Sequence, residues 1–142
     1  MIVLDTTVLV YAVGDEHPLR EPSRRLVEAI TGGRVRATTS VEVVQEFAHI
    51  RAQRRGRPNA VSLARYFAEL LSPLIPVIGP DLEKGLQLFQ RHERLGAFDA
   101  LLAAATLRAD ADGFVSGDAA FGEISALPFV PLGSRELDAL LT

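Results

Sequence analysis

The N-terminal segment constrains the fold most. Met1-Ile2-Val3-Leu4 is short, apolar and partly β-branched, and it runs straight into a carboxylate, Asp5. Such a run reads as a strand buried on both faces, which is the habit of parallel sheets covered by helices. Comparable runs return at residues 35–38, 74–78, 113–116 and 129–131. Between them lie helical patterns at residues 6–13, 21–30, 40–54, 59–71, 80–94, 98–109 and 135–141. Gly32-Gly33, Gly56-Arg57-Pro58 and Gly96 punctuate these helices, and Pro80-Asp81 opens one. Strands that alternate with helices predict an α/β fold: a three-layer α/β/α sandwich with a mainly parallel central sheet, as one domain over residues 1–142. In such sheets ligands bind outside the carboxyl ends of the strands. Asp5 ends the first strand and Asp118 follows a later one, so the two are expected on the same edge.

Composition narrows the chemistry. The chain has no cysteine, which excludes disulfides, thiolate metal sites and a thiol nucleophile, and agrees with a cytoplasmic setting. Asp5 interrupts the N-terminal apolar run, so neither a signal peptide nor a membrane span is expected there. The net charge is −3, which argues against holding nucleic acid by bulk charge. The charge is uneven: residues 1–71 carry 10 basic and 8 acidic side chains, and the remainder 5 and 10. The basic residues thicken at Arg51, Arg54, Arg55 and Arg57. That cluster is a candidate for phosphate contacts, and equally a solvated helix end where arginines suit the dipole.

Four acids stand out, each with a plain structural alternative. Asp5 reads equally as the N-cap of the helix that follows. Glu46 borders the apolar face formed by Val43, Phe47 and Ile50, where a glutamate is usually a solvated flank. Glu42 lies one turn earlier, and with Thr39 as N-cap it completes a capping box, which gives it a structural role that Glu46 lacks. Asp99 opens the apolar segment Ala97-Phe98-Asp99-Ala100-Leu101-Leu102-Ala103, where a first-turn carboxylate suits the helix dipole. Asp118, in Val115-Ser116-Gly117-Asp118, reads also as a cap. Taken together they are more specific, since several fall at element ends facing one edge. Two carboxylates about 4 Å apart repel by roughly 4 kcal/mol at an effective dielectric near 20. A cluster of four raises pKa values or recruits a cation. All-oxygen ligands select hard ions such as Mg²⁺ or Mn²⁺.

These segments, in this order and spanning nearly the whole chain, resemble the PIN-domain family, and specifically the VapC toxins of bacterial toxin–antitoxin pairs. The carriers are Val3-Leu4-Asp5-Thr6-Thr7-Val8-Leu9, Thr39-Ser40 through Glu46-Phe47, Phe98-Asp99-Ala100-Leu101-Leu102-Ala103, and Val115-Ser116-Gly117-Asp118 through Phe121. The resemblance implies a metal-dependent endoribonuclease in which Asp5, Glu46, Asp99 and Asp118 are catalytic and Asp5, Asp99 and Asp118 hold Mg²⁺ or Mn²⁺. Thr6 and Ser116 match small hydroxyl residues beside the metal. Many members carry a second small polar residue where this chain has Gly117, and some a further acid where Ala119 and Ala120 stand, which leaves a second metal position open. The resemblance also implies an RNA substrate, a VapB-like antitoxin and a homodimer. Two rivals remain: a PIN-like module that only binds RNA or protein, and a phosphatase of the haloacid dehalogenase type. The latter needs a second aspartate where this chain has Thr7.

Overall fold

The computed structural model describes all residues, 1–142. Its sheet has four strands in the order β2-β1-β3-β4, where β1 is Ile2–Leu4, β2 Ala37–Thr38, β3 Gly113–Ser116 and β4 Phe129–Pro131. Every ladder is parallel: Val3 pairs with Thr38 on one side and Phe114 on the other, and Val115 pairs with Val130. All residues of β1 and β3 are buried. This accounts for their unbroken apolar character, since both faces of the sheet are covered.

The helices are α1 (Thr6–Val13), α2 (Arg20–Thr31), α3 (Val41–Arg55), α4 (Arg57–Leu70), α5 (Gly79–Arg91), α6 (Ala97–Arg108) and α7 (Arg135–Leu141), with a short 3₁₀ turn at Ala119–Glu123. The expected three-layer α/β/α architecture is present. Residues 74–78, expected as a strand, form none. Only Ile75 bridges, to Ser40, with its amide donating to the Thr39 carbonyl at 2.9 Å. Pro73 and Pro76 flank it and cannot donate to a ladder, which limits the pairing to one residue. Helix α4 starts at Arg57, two residues earlier than expected, because Pro58 is tolerated in a first turn. No helix is long and apolar enough to cross a membrane.

Three packing details set up the site. The buried Thr39 hydroxyl donates to the Leu4 carbonyl at 2.7 Å, tying the start of α3 to the end of β1. Gly85 of α5 lets α6 approach closely: a Cβ there would lie 3.1 Å from Leu101 Cα. At the far end of α6, Arg108 donates to both carboxylate oxygens of buried Asp81, at 2.8 and 3.1 Å. Helix α3 is thereby tied to the end of β1 and α6 to α5, and residues of both line the cleft that holds Asp5.

Candidate metal centre

Asp5 follows the last residue of β1, and its amide still donates to the Val115 carbonyl of β3 at 3.0 Å. That pairing puts its side chain beside Ser116. The Ser116 hydroxyl donates to Asp5 Oδ2 at 2.6 Å and the Thr7 hydroxyl to the same atom at 2.9 Å. Oδ1 has no side-chain donor. Asp5 is only 4% exposed and makes no cap bond to α1, so the capping role is not realised. Burial pushes its pKa up. The Ser116 and Thr7 hydroxyls and the Thr6 amide pull it back, Glu46 adds to the rise, and the net direction is upward.

Asp118 lies two residues beyond the end of β3. Its amide donates to Ser116 Oγ at 2.9 Å, and its Oδ1 accepts from the Ala120 amide at 2.9 Å. Oδ1 thus caps the 3₁₀ turn while Oδ2 makes no hydrogen bond, so the capping and ligating readings are compatible. Asp99 sits in the first turn of α6, partly buried and without a hydrogen-bond partner. Its pKa is pushed up to about 7, first by burial and then by the negative charges of Asp5, Glu46 and Asp118.

The four acids border one cleft of about 240 Å³, shared with Thr6, Thr7, Tyr11 and Arg54. None of the four forms an ion pair, whereas Asp15, Asp81, Asp112, Asp138 and Glu123 all do. A buried carboxylate without a cation is costly, and further acids around it add repulsion. The donor set is oxygen throughout, with no cysteine and no histidine lining this cleft. These features fit a hard divalent cation. The acids border the cleft without three of them closing on a single point.

Several expectations are sharpened here. The N-cap of α3 is Ser40, which accepts from the Val43 amide at 3.3 Å, and not Thr39. Glu42 therefore falls one position too early for the capping box, and the structural reason for setting it aside is removed. Glu46 still stands apart from Glu42, because Glu46 and not Glu42 raises the pKa of Asp5 and Asp99. The hydroxyl touching Asp5 beside that of Ser116 belongs to Thr7, which the sequence reading passed over, while Thr6 lines the cleft and contributes its amide. The available signal was position: a residue in the first turn of α1, two past Asp5, can reach back to it. Gly117 is explained by crowding, since a Cβ there would lie 3.1 Å from Leu19 Cδ1 and 3.3 Å from Tyr11 Cε2.

The arginines separate. Arg51 donates to Asn59 Oδ1 at 2.7 Å and to the Val13 carbonyl at 3.0 Å. Arg55 pairs with Asp15 at 2.9 Å. Arg57 lies on the surface of α4, away from the acids. Arg54 alone lines the acidic cleft, exposed and unpaired.

Comparison with known proteins agrees with this geometry. The chain matches the PIN domain over residues 2–127. It is 51% identical to Ribonuclease VapC7 of Mycobacterium tuberculosis, over 88% of this chain and 87% of that one. Among solved structures it resembles M. tuberculosis VapC20, described as a sarcin–ricin loop cleaving toxin, with a TM-score of 0.74 and 19% identity over 88% of this chain and 95% of that one. It also resembles VapBC2 from Rickettsia felis bound to a promoter DNA fragment, with a TM-score of 0.72 and 20% identity over 92% and 98% of the two chains. With a parallel sheet that delivers Asp5 and Asp118 to one edge, and a family match over most of its length, this chain belongs to the PIN-domain family and to its VapC branch.

Proposed function

We propose that the chain is the endoribonuclease toxin of a toxin–antitoxin pair, acting in the cytoplasm, and that it hydrolyses RNA phosphodiesters at the cleft bounded by Asp5, Glu46, Asp99 and Asp118 with Mg²⁺ or Mn²⁺. One observation carries the reading: a buried carboxylate, Asp5, oriented by two hydroxyls and ringed by three further unpaired acids. When bound, the ion supplies charge neutralisation at the scissile phosphate and acidifies water. Asp5, Asp99 and Asp118 are the residues that would hold it. Ser116 and Thr7 hold the Asp5 carboxylate through Oδ2, so that neither hydroxyl occupies Oδ1. Glu46, exposed on α3, accepts the proton of the attacking water. In-line attack forms the new P–O bond as the P–O3′ bond breaks, and the departing 3′-oxygen takes a proton from solvent, leaving a 5′-phosphate and a 3′-hydroxyl. Arg54 offsets the acidic field and steadies an RNA phosphate.

The partners follow from the same surfaces. A VapB-like antitoxin neutralises the site by covering the cleft and placing an arginine among the acids, where it replaces the ion's charge. A homodimer fits the outward stripe of Leu82, Leu86 and Phe89 on α5. The phosphatase alternative needs a second aspartate where this chain has Thr7, and the similar Ribonuclease VapC7 supports the ribonuclease reading instead. The test is cleavage of total RNA by purified protein in Mg²⁺ or Mn²⁺, in EDTA, and with Asp5→Asn. Metal-dependent cleavage that the variant abolishes supports the reading. Cleavage that persists in EDTA, or in a folded Asp5→Asn protein, refutes it.

A further inference from the structure

Phe98 is the most exposed large apolar side chain of the protein, at 81%. It directly precedes Asp99 and makes no ring contact with another aromatic, whereas Phe47 with Phe67 and Phe114 with Phe121 pair in the interior. A helix first turn needs no aromatic, and this ring contributes little to the core. It borders a second cleft of about 410 Å³, within the usual range for small-ligand pockets, that is continuous with the acidic one and shares Asp5, Thr6, Glu46 and Asp99 with it.

The two walls of this second cleft differ in kind. One is apolar, formed by Phe98, Leu101 and Leu102 of α6 with Val77. The other is mainly polar: Glu42, Gln45, Glu46 and His49 recur at i, i+3, i+4 and i+7 along α3, with buried Val43 among them. A slot with one apolar and one hydrogen-bonding wall fits a flat ligand that has a π face and polar edges. A nucleobase has that form, and single-stranded nucleic acid is commonly held by stacking on exposed aromatics.

We propose that this cleft receives an unstacked base of single-stranded RNA, adjacent to the phosphodiester at the acid site, with Phe98 as the stacking platform and Gln45 and His49 as the groups that read the base edge. The inference rests on the ribonuclease reading for its substrate class. Continuity with the acids favours RNA over an apolar protein segment: a base entering here is the one next to the bond at the acids. Stacking tolerates any base, so discrimination falls to the amide of Gln45 and the imidazole of His49, which can each donate and accept.

The test uses RNA dodecamers of mixed sequence, cleaved in Mg²⁺ with the scissile bond mapped, then resynthesised with an abasic residue on either side of it. Phe98→Ala is expected to raise KM by about 5- to 150-fold with kcat little changed. Phe98→Tyr keeps the wild-type KM. One abasic substitution reproduces the loss in the wild type and adds nothing in Phe98→Ala. Separately, 2-aminopurine at that position, with metal omitted, is quenched by the wild type and by Phe98→Tyr but not by Phe98→Ala. Additive losses, a KM within twofold of wild type, or equal quenching by all three proteins overturns the proposal. If Phe98→Ala weakens only capture of a co-expressed antitoxin, the slot serves protein and the proposal also fails. Quenching without cleavage by the wild type refutes the ribonuclease reading and spares the slot.

Discussion

Asp99→Asn is expected to make the metal-free protein more stable while abolishing its activity. Asp99 titrates near pH 7 in the fold against an ordinary value of 3.8. At about 1.36 kcal/mol per unit, that difference is a penalty of about 4 kcal/mol for ionising it in place. The residue stands at the mouth of an open cleft, so screening reduces the penalty to about 2 kcal/mol. Because the folded value is the raised one, the fold holds the proton more tightly than the unfolded chain. The penalty is therefore absent below pH 4, grows between pH 4 and 7, and is complete above pH 7. An asparagine does not ionise and escapes it. At about 3–4 °C per kcal/mol for a chain of this size, Tm in EDTA at pH 8 should rise by roughly 6–8 °C, with little change at pH 4. Mg²⁺ should then stabilise the wild type, by about 2.7 kcal/mol at a hundredfold excess over Kd, and the variant far less. Calorimetric melts at pH 4, 6 and 8, with EDTA and with Mg²⁺, measure all of this. A Tm difference that stays constant across pH, or a variant less stable than wild type at pH 8, would show that repulsion among the acids does not govern Asp99.

Three further outcomes are expected. Ser116→Ala removes the 2.6 Å bond to Asp5 and the acceptor for the Asp118 amide, and should weaken Mn²⁺ binding by about 10- to 100-fold in calorimetric titration; unchanged affinity would mean that Asp5 needs no orienting. Arg54→Ala should lower the salt slope of single-stranded RNA binding by about 0.7 at unchanged Tm, whereas Arg51→Ala should lower Tm and leave the slope alone, because Arg51 is engaged by Asn59 and Val13. Gly117→Ser should cost about 1–3 kcal/mol in urea unfolding through crowding against Leu19 and Tyr11, and a neutral result would show that the loop yields freely.

The sequence carried the sheet's core and the positions of the acids because both depend on patterns local to a few residues. Ile2–Leu4, Gly113–Ser116 and Phe129–Pro131 are strands as expected, and Asp5 and Asp118 share an edge for the topological reason given. Residues 74–78 misled because their apolar run resembles a strand while Pro73 and Pro76 withhold its donors. The start of α3 misled because Thr39 and Ser40 are both good caps. The choice was made by a tertiary contact, since the Thr39 hydroxyl is drawn to Leu4 and only Ser40 is left to cap. The second partner of Thr7, Ser116, and the division among the arginines were hidden for the same reason. Contacts such as Thr7 with Ser116, or Arg55 with Asp15, join positions far apart in the chain, and no local period encodes them.

The attachment of the four acids divides the cleft mechanically. Asp5 and its clamp, Ser116, hang from the two central strands, where opening a single hydrogen bond means breaching the whole interior; their amides should exchange only through global unfolding. Glu46 and Asp99 are carried instead by helices α3 and α6, outside the sheet. The site thus joins one acid rooted in the buried sheet to two carried by helices. A perturbation of the outer helices should therefore reach Glu46 and Asp99 before it reaches Asp5 in the sheet beneath.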